Sequence, residues 1–338
     1  MSRSPSPFSK APSPASSTAP STASPAMPGG EFDWIARLLR PLTRGAPEAL
    51  DLLDDAAVIP SRPGFDLVVT KDALVAGVHF LPDDPLDLVA RKLLRVNLSD
   101  LAAKGAEPYG YFLSTAWPTG TTWADRERFA RGLADDGETF GLTLLGGDTT
   151  STPGPLTLTA TMLGWVPQGR AVLRRGARPG DRLAVSGPIG DGWLGLKAAR
   201  GEIDSPVLAD RYRLPTPRTD LKGVLRDQAR AAADISDGLL ADAGHLATAS
   251  GCRVEIDLGR LPVSAAAAEW LGRQPDTLAA LTGLATGGDD YEIVCALSPD
   301  ADLPDGFVVV GGFVEGQGVL VTFKGAPVPI DRLGWTHG

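Results

Sequence analysis

The sequence predicts an α/β protein of two domains, preceded by a segment of different composition. Three observations carry this. The chain has 338 residues, which suits two domains of roughly 150 each. From Glu31 onward, strand-like and helix-like hydrophobic patterns alternate. The composition also changes abruptly near residue 30. Ser, Pro and Ala fill 21 of the first 30 positions, with Arg3 and Lys10 the only charges there. Such a stretch has too little apolar surface to offset its ordering entropy, so residues 1–30 are expected to be disordered, and they lack the apolar core of a secretory signal. Met27 is an alternative start.

The elements follow in order. Phe32, Ile35, Leu38 and Leu39 have helical spacing, and Pro41 is expected to end that helix. Asp66–Thr70 reads as a short buried strand. Asp83 or Asp84 can cap a long helix from Leu86 to Ala103, with Gly105 as its stop. Leu144–Gly147 closes another strand, and Leu156, Leu158, Ala160 and Met162 alternate with threonines as in a half-exposed strand. A second set begins near Gly169. Leu183–Ser186 is a strand that enters a helix through the Gly187–Gly195 turn. Ala231–Ile235 leads into a helix capped by Asp234 or Ser236 and stopped by Gly251, and Ile293–Leu297 and Phe307–Val310 are buried strands. The domains are therefore read as 31–167 and 168–338.

Composition excludes several classes of function. A net charge of −9 argues against a nucleic-acid or anionic-membrane surface. No run is apolar enough to span a membrane, since the longest uncharged one, Thr149–Gly169, is broken by Pro153 and Pro155. Two cysteines, Cys252 and Cys295, cannot build a disulfide framework or a four-cysteine zinc site, and both read as small buried hydrophobes. A cytoplasmic location is expected.

Aspartates mark the chemistry. Asp54–Asp55, Asp72, Asp148, Asp234, Asp237 and Asp289–Asp290 sit at predicted strand ends or turns, several after glycine pairs. Asp100 continues the buried stripe Leu86, Ala90, Leu93, Asn97, where a bare carboxylate is costly and a cation would relieve it. Carboxylates that hold magnesium, and glycines that admit phosphate, are what a polyphosphate site needs. Each aspartate alone could equally be a cap or turn residue. The Gly187–Gly192 run lacks the ending of a Walker loop and reads as a tight turn. His245 reads as a structural histidine on an amphipathic helix.

Taken in order, the stretches Gly30–Arg37, Asp54–Val58, Thr70–Phe80, Val96–Ala106, Gly146–Thr150, Gly169–Asp181, Asp234–Leu239 and Gly287–Glu292 resemble the thiamine-monophosphate kinase family. That family belongs to the aminoimidazole ribonucleotide synthetase-like superfamily. The resemblance implies a two-domain fold of that type. Its N-terminal half would bind ATP and magnesium and form a sheet or barrel at a homodimer interface, and its α/β C-terminal half would complete the site. It also implies transfer of a phosphoryl group from ATP to thiamine monophosphate, giving thiamine diphosphate, assisted by several Mg2+ ions.

Carried over by motif, Asp55, Thr70, Asp72, Asp100, Asp148, Asp234 and Asp237 would hold magnesium. Gly147, Asp148, Arg174 and Ser236 would contact ATP, and His79, Asp289 and Trp335 would face the acceptor. No general base is implied; Arg174 and magnesium would stabilise charge. The chain departs from the family's pattern at Leu52-Leu53 before the paired aspartates, at Lys71 where a hydroxyl residue is common, and at Asp289 in place of Glu. The alternatives are another ATP-using enzyme of the superfamily and a non-catalytic nucleotide-binding regulator.

Overall fold

The computed structural model describes residues 30–336. The expectation for residues 1–30 therefore lies outside the described residues, Gly30 apart. Helix α1 (Glu31–Trp34) runs on through a π turn (Ile35–Leu39) into a 3₁₀ turn (Arg40–Thr43). Pro41 lies inside that last turn rather than ending the helix, because a first-turn position needs no N–H. Trp34 is the buried residue of α1, while Phe32 is exposed.

The first sheet contains β1 (Phe65–Val75), β2 (Glu107–Pro118), β3 (Thr143–Thr152) and β4 (Thr157–Pro167), in the order β1-β4-β2-β3. In place of a short buried strand, β1 is an eleven-residue edge strand covered on one face only. Its other face shows Phe65, Leu67 and Val69 at 36%, 42% and 56% exposure. Two helices, α2 (Leu86–Ala103) and α3 (Trp123–Phe140), cover the inner face.

Helix α2 has the predicted span, but Pro85 occupies its N-cap. Asp84 instead accepts the Leu81 N–H at 2.8 Å and pairs with Arg213 at 2.7 Å. Arg95 on α2 makes a two-pronged ion pair with the fully buried Asp136 on α3, at 2.6 and 3.0 Å, and a third nitrogen reaches the Pro215 carbonyl. Arg91 adds a further bond to the same carboxylate at 3.0 Å.

The second half supplies β5 (Arg182–Val185), α4 (Asp191–Ala199), α5 (Pro206–Arg213), α6 (Lys222–Gln228), β6 (Ala229–Asp234) and α7 (Leu239–Ser250). It continues with β7 (Arg253–Asp257), α8 (Ala265–Gly272), α9 (Thr277–Thr286), β8 (Ile293–Leu297), β9 (Val308–Val314), β10 (Gly318–Phe323) and β11 (Ala326–Pro327). These strands form one sheet ordered β11-β10-β7-β9-β5-β8-β6. Across both sheets the pairings are antiparallel except β2 with β3 and β7 with β10, so the architecture is α+β in character.

The end of α2 meets this second sheet. Ala102 and Ala103 pack with Ala232, Ile293 and Cys295 in one core cluster. Both cysteines are buried, as their type suggests, and burial pushes the Cys295 thiol up to about 12. Among the described residues no helix is long and apolar enough to cross a membrane.

The buried Arg95–Asp136 pair yields a stability prediction. Asp136→Ala leaves Arg95 with no carboxylate partner in the interior and should cost about 3–5 kcal/mol. Urea denaturation should show this as a lower midpoint at unchanged slope.

Candidate active site

Strand β1 and helix α2 place the first group. Thr70 and Asp72 lie on the β1 face turned toward α2, and the Thr70 hydroxyl donates to Asp100 Oδ2 on that helix. Asp72 is thus inside a strand, not after one. Asp234, at the end of β6, comes from the other half and is buried. The three carboxylates feel one another. Burial, and then the Asp100 charge, push the Asp72 carboxyl up to about 7. Asp234 is held well above the usual carboxylate range by burial first, then by Asp100 and Asp242. Like charges in a dry site resist joint ionisation, so the arrangement is suited to a cation.

One cation of the chain is already nearby. Lys104, one turn beyond Asp100, donates to the Ala232 carbonyl at 3.0 Å. Its ammonium faces Arg174, Asp234 and Asp100, and burial lowers its pKa.

The turn between β6 and α7 places a second group. Its expected caps, Asp234 and Ser236, do not cap. Gly238 occupies that position at φ +117°, and Asp242, reaching back from the helix, accepts the N–H groups of Ser236 and Asp237 at 3.1 Å each. Burial and the Asp237 charge push Asp242 up to about 7, while Arg174 opposes this from its exposed position. Ligand atoms of Asp237, Asp242 and His245 lie within 4.8 Å of one another. His245 is therefore an exposed neighbour of two aspartates, not a core histidine.

The third group is on the acceptor side of the sequence reading. The buried Lys92 on α2 binds the His79 carbonyl at 3.1 Å and Asp289 Oδ2 at 3.2 Å. The Tyr291 hydroxyl donates to Asp289 Oδ1 at 2.9 Å. The Asp289 N–H reaches the Ser236 carbonyl at 2.9 Å, which ties this loop to the second group. A Cβ at Gly288 would lie 2.4 Å from that same carbonyl oxygen, so glycine here serves a protein–protein approach. The Trp335 backbone N–H is held by the Asp237 carbonyl at 2.9 Å, and the residue is 51% exposed beside the turn.

Other predicted residues lie elsewhere. Asp54 and Asp55 are exposed after a 3₁₀ turn, and the Asp55 N–H bonds to Asp54 Oδ1. Asp148 is exposed in the middle of β3, not at a strand end. Its neighbour Thr149 points inward, bonded to Thr115 and Trp34, so Asp148 points outward, to the face opposite Asp72. The paired rows Asp72–Ala160, Ala160–Leu113 and Leu113–Gly147 also put β1 and β3 three strand spacings apart, about 14 Å.

A Cβ on Gly147 would fall 1.8 Å from the Leu113 carbonyl oxygen, so this glycine too admits backbone rather than phosphate. Lys71 shares the outward face and leaves Asp72 untouched. Asp290 belongs to a helix terminus: its carboxylate accepts the N–H groups of Gly190 and Gly192 at 2.8 and 3.0 Å. Two donors of the Gly187–Gly192 turn are thus taken by this carboxylate.

Sequence reasoning passed over Lys92, Lys104, Tyr291 and Asp242. Lys92 stands eight residues before Asp100 on α2, and Lys104 four after it at the C-cap, each at a spacing that returns to the side of Asp100, and that is a usable signal. Asp242 gave none, because an aspartate in a helix looks like surface until its turn is known.

Two sheets joined through one helix, with a carboxylate cluster at the join, define the class. The family profile for AIR synthase related proteins matches its N-terminal domain to residues 53–166 and its C-terminal domain to residues 178–321. The thiamine-monophosphate kinase of Caulobacter vibrioides is 62% identical over 325 residues, covering 93% of this chain and 92% of that one. The enzyme of that name from Escherichia coli K12 is 38% identical, covering 91% and 98%. A solved structure described as AaThiL complexed with AMPPCP and TMP superposes with a TM-score of 0.75 at 30% identity, covering 91% of this chain and 97% of that one. The chain belongs to the thiamine-monophosphate kinase family.

The raised carboxylates set a pH dependence. Folded Asp72 and Asp242 hold protons up to about pH 7, whereas unfolded aspartates release them near pH 4. The native state therefore binds more protons between these values, and cation-free stability falls as pH rises through that window. Melting temperature should decline between about pH 5 and pH 8. A divalent cation should restore more of it at the upper end than at the lower; a uniform effect across the range would contradict a cation site at these carboxylates.

Proposed function

We propose that the chain transfers the terminal phosphoryl group of ATP to thiamine monophosphate, giving thiamine diphosphate and ADP. The observation that carries this is the convergence of Asp72, Asp100 and Asp234 from both halves of the chain, with Thr70 bonded to Asp100. The names of its relatives, and the nucleotide analogue and TMP in the related complex, support the substrates.

Magnesium fits the cluster, since its hard oxygen chemistry matches carboxylates and phosphates and its charge would relieve their repulsion. Thr70, Asp72, Asp100 and Asp234 would hold it, with Asp237 at the adjoining turn. Bound there, magnesium would neutralise charge on the two phosphates. The acceptor oxygen is already anionic, so no residue has to remove a proton. Arg174 and Lys104 would offset phosphate charge from the chain's own side, while Ser236 meets the nucleotide. His79 and Asp289 would flank the acceptor, and Trp335 would stack on its cationic ring.

Asp148 enters through a homodimer. Strands β1 and β3 are the two edges of the first sheet, and its outward face carries Phe65, Leu67 and Val69. A second copy whose β3 edge runs beside this chain's β1 edge would set its Asp148 next to the strand that carries Asp72.

Two experiments test these readings. Asp100→Asn should remove thiamine-monophosphate-dependent ADP release by at least about a thousandfold with the fold intact by circular dichroism. Full turnover at saturating magnesium would end the assignment. Mixing inactive Asp72→Asn and Asp148→Asn chains should recover about a quarter of wild-type activity, since half the dimers are mixed and one of their two sites is whole. No recovery, with exchange of subunits verified, would overturn the shared site.

A further inference from the structure

Lys92 is 2% exposed, yet its ammonium is in contact with three separate segments. It lies 3.1 Å from the His79 carbonyl after β1, 3.2 Å from Asp289 Oδ2 before β8, and 3.8 Å above the Tyr212 ring on α5. The Tyr212 hydroxyl in turn lies 3.5 Å from the His79 carbonyl. The next residue, Arg213, pairs with Asp84 in the first half, and the preceding one, Arg211, pairs with Glu292 in the second at 3.0 Å. Asp289 has a left-handed backbone at φ +67°, which a side-chain-bearing residue keeps only when its surroundings hold it. One ammonium thus sits at the point where the two halves face each other.

We propose that Lys92 is a positioning residue for acceptor recognition, its ammonium fixing the gap between the His79 turn and the Asp289 loop. The inference rests on the kinase reading, in which those two residues flank the acceptor. Lys92 and Asp100 share a face of α2 eight residues apart, about 12 Å along the helix. That separation places Lys92 at the heterocycle end of the site and Asp100 at the phosphate end. Asp289 also spends part of its charge on Lys92 and Tyr291. It therefore acts on the acceptor as a fixed, partly neutralised hydrogen-bond acceptor rather than as a free counter-ion.

The test compares Lys92→Met, Lys92→Gln, Asp289→Asn and the Lys92→Met/Asp289→Asn double variant. ATP and thiamine monophosphate are varied independently, with folding followed by circular dichroism. Lys92→Met should raise KM for the acceptor about tenfold or more while KM for ATP stays within about twofold and kcat within about fivefold. The double variant should be no worse than Lys92→Met by more than about twofold, because the lysine acts through that carboxylate. Lys92→Gln keeps an N–H donor for His79 and serves if the methionine variant does not fold; it should show the same acceptor-selective rise. A melting temperature lowered with both KM values unmoved, an equal rise in the two, or additive penalties would overturn the proposal. Wild-type protein that releases no ADP with thiamine monophosphate would sink the kinase reading before any variant is assayed.

Discussion

A helix buried along most of its length must find partners for the charges it carries, and α2 is such a helix. Lys92, Arg95, Asn97 and Ser99 are all buried on it, and Asp100 and Lys104 are half-buried. No single neighbour can serve them all. Arg95 is answered by Asp136 on α3, Lys92 by His79 and Asp289, and Lys104 by the edge of β6. The two halves are therefore tied to the same rod by charge-assisted hydrogen bonds, the first through Asp136 and the His79 carbonyl, the second through Asp289 and the Ala232 carbonyl.

The same constraint explains why the carboxylates gather where they do. Asp100 is close to Asp72 because β1 packs on α2, and close to Asp234 because β6 packs on the end of α2. Neither half alone contains the cluster. Asp72 and Asp234 are held in place by the strands that carry them, so the acidic groups stay near one another even though they repel. The repulsion is relieved by a proton, as the raised Asp72 and Asp234 carboxyls show, or by a bound cation, which connects packing directly to chemistry.

Much of this was legible in the residues. The long α2, the strand β8 and the stop at Gly251 follow from periodicity and turn chemistry, which act locally, whereas the turn expected over Gly187–Gly195 ends early, because α4 begins at Asp191. The expected caps at Asp84 and Ser236 do not form, because a capping residue is chosen by what else competes for it. Asp84 had Arg213 to meet, and Asp242 reached back to serve the turn. Strand β1 looked buried because apolar residues on an edge strand give the same pattern whether a partner covers them or not. The face to which Asp148 points could not be read from its motif, since glycine pairs hide the period of two until register is known.

A sheet one layer thick separates what lies on its two sides. Asp72 looks inward and Asp148 outward, so no ion held by the first can reach the second around the same four strands. If both serve one reaction, the isolated chain is only half an apparatus, and dilution that parts two copies would silence it as surely as an inhibitor.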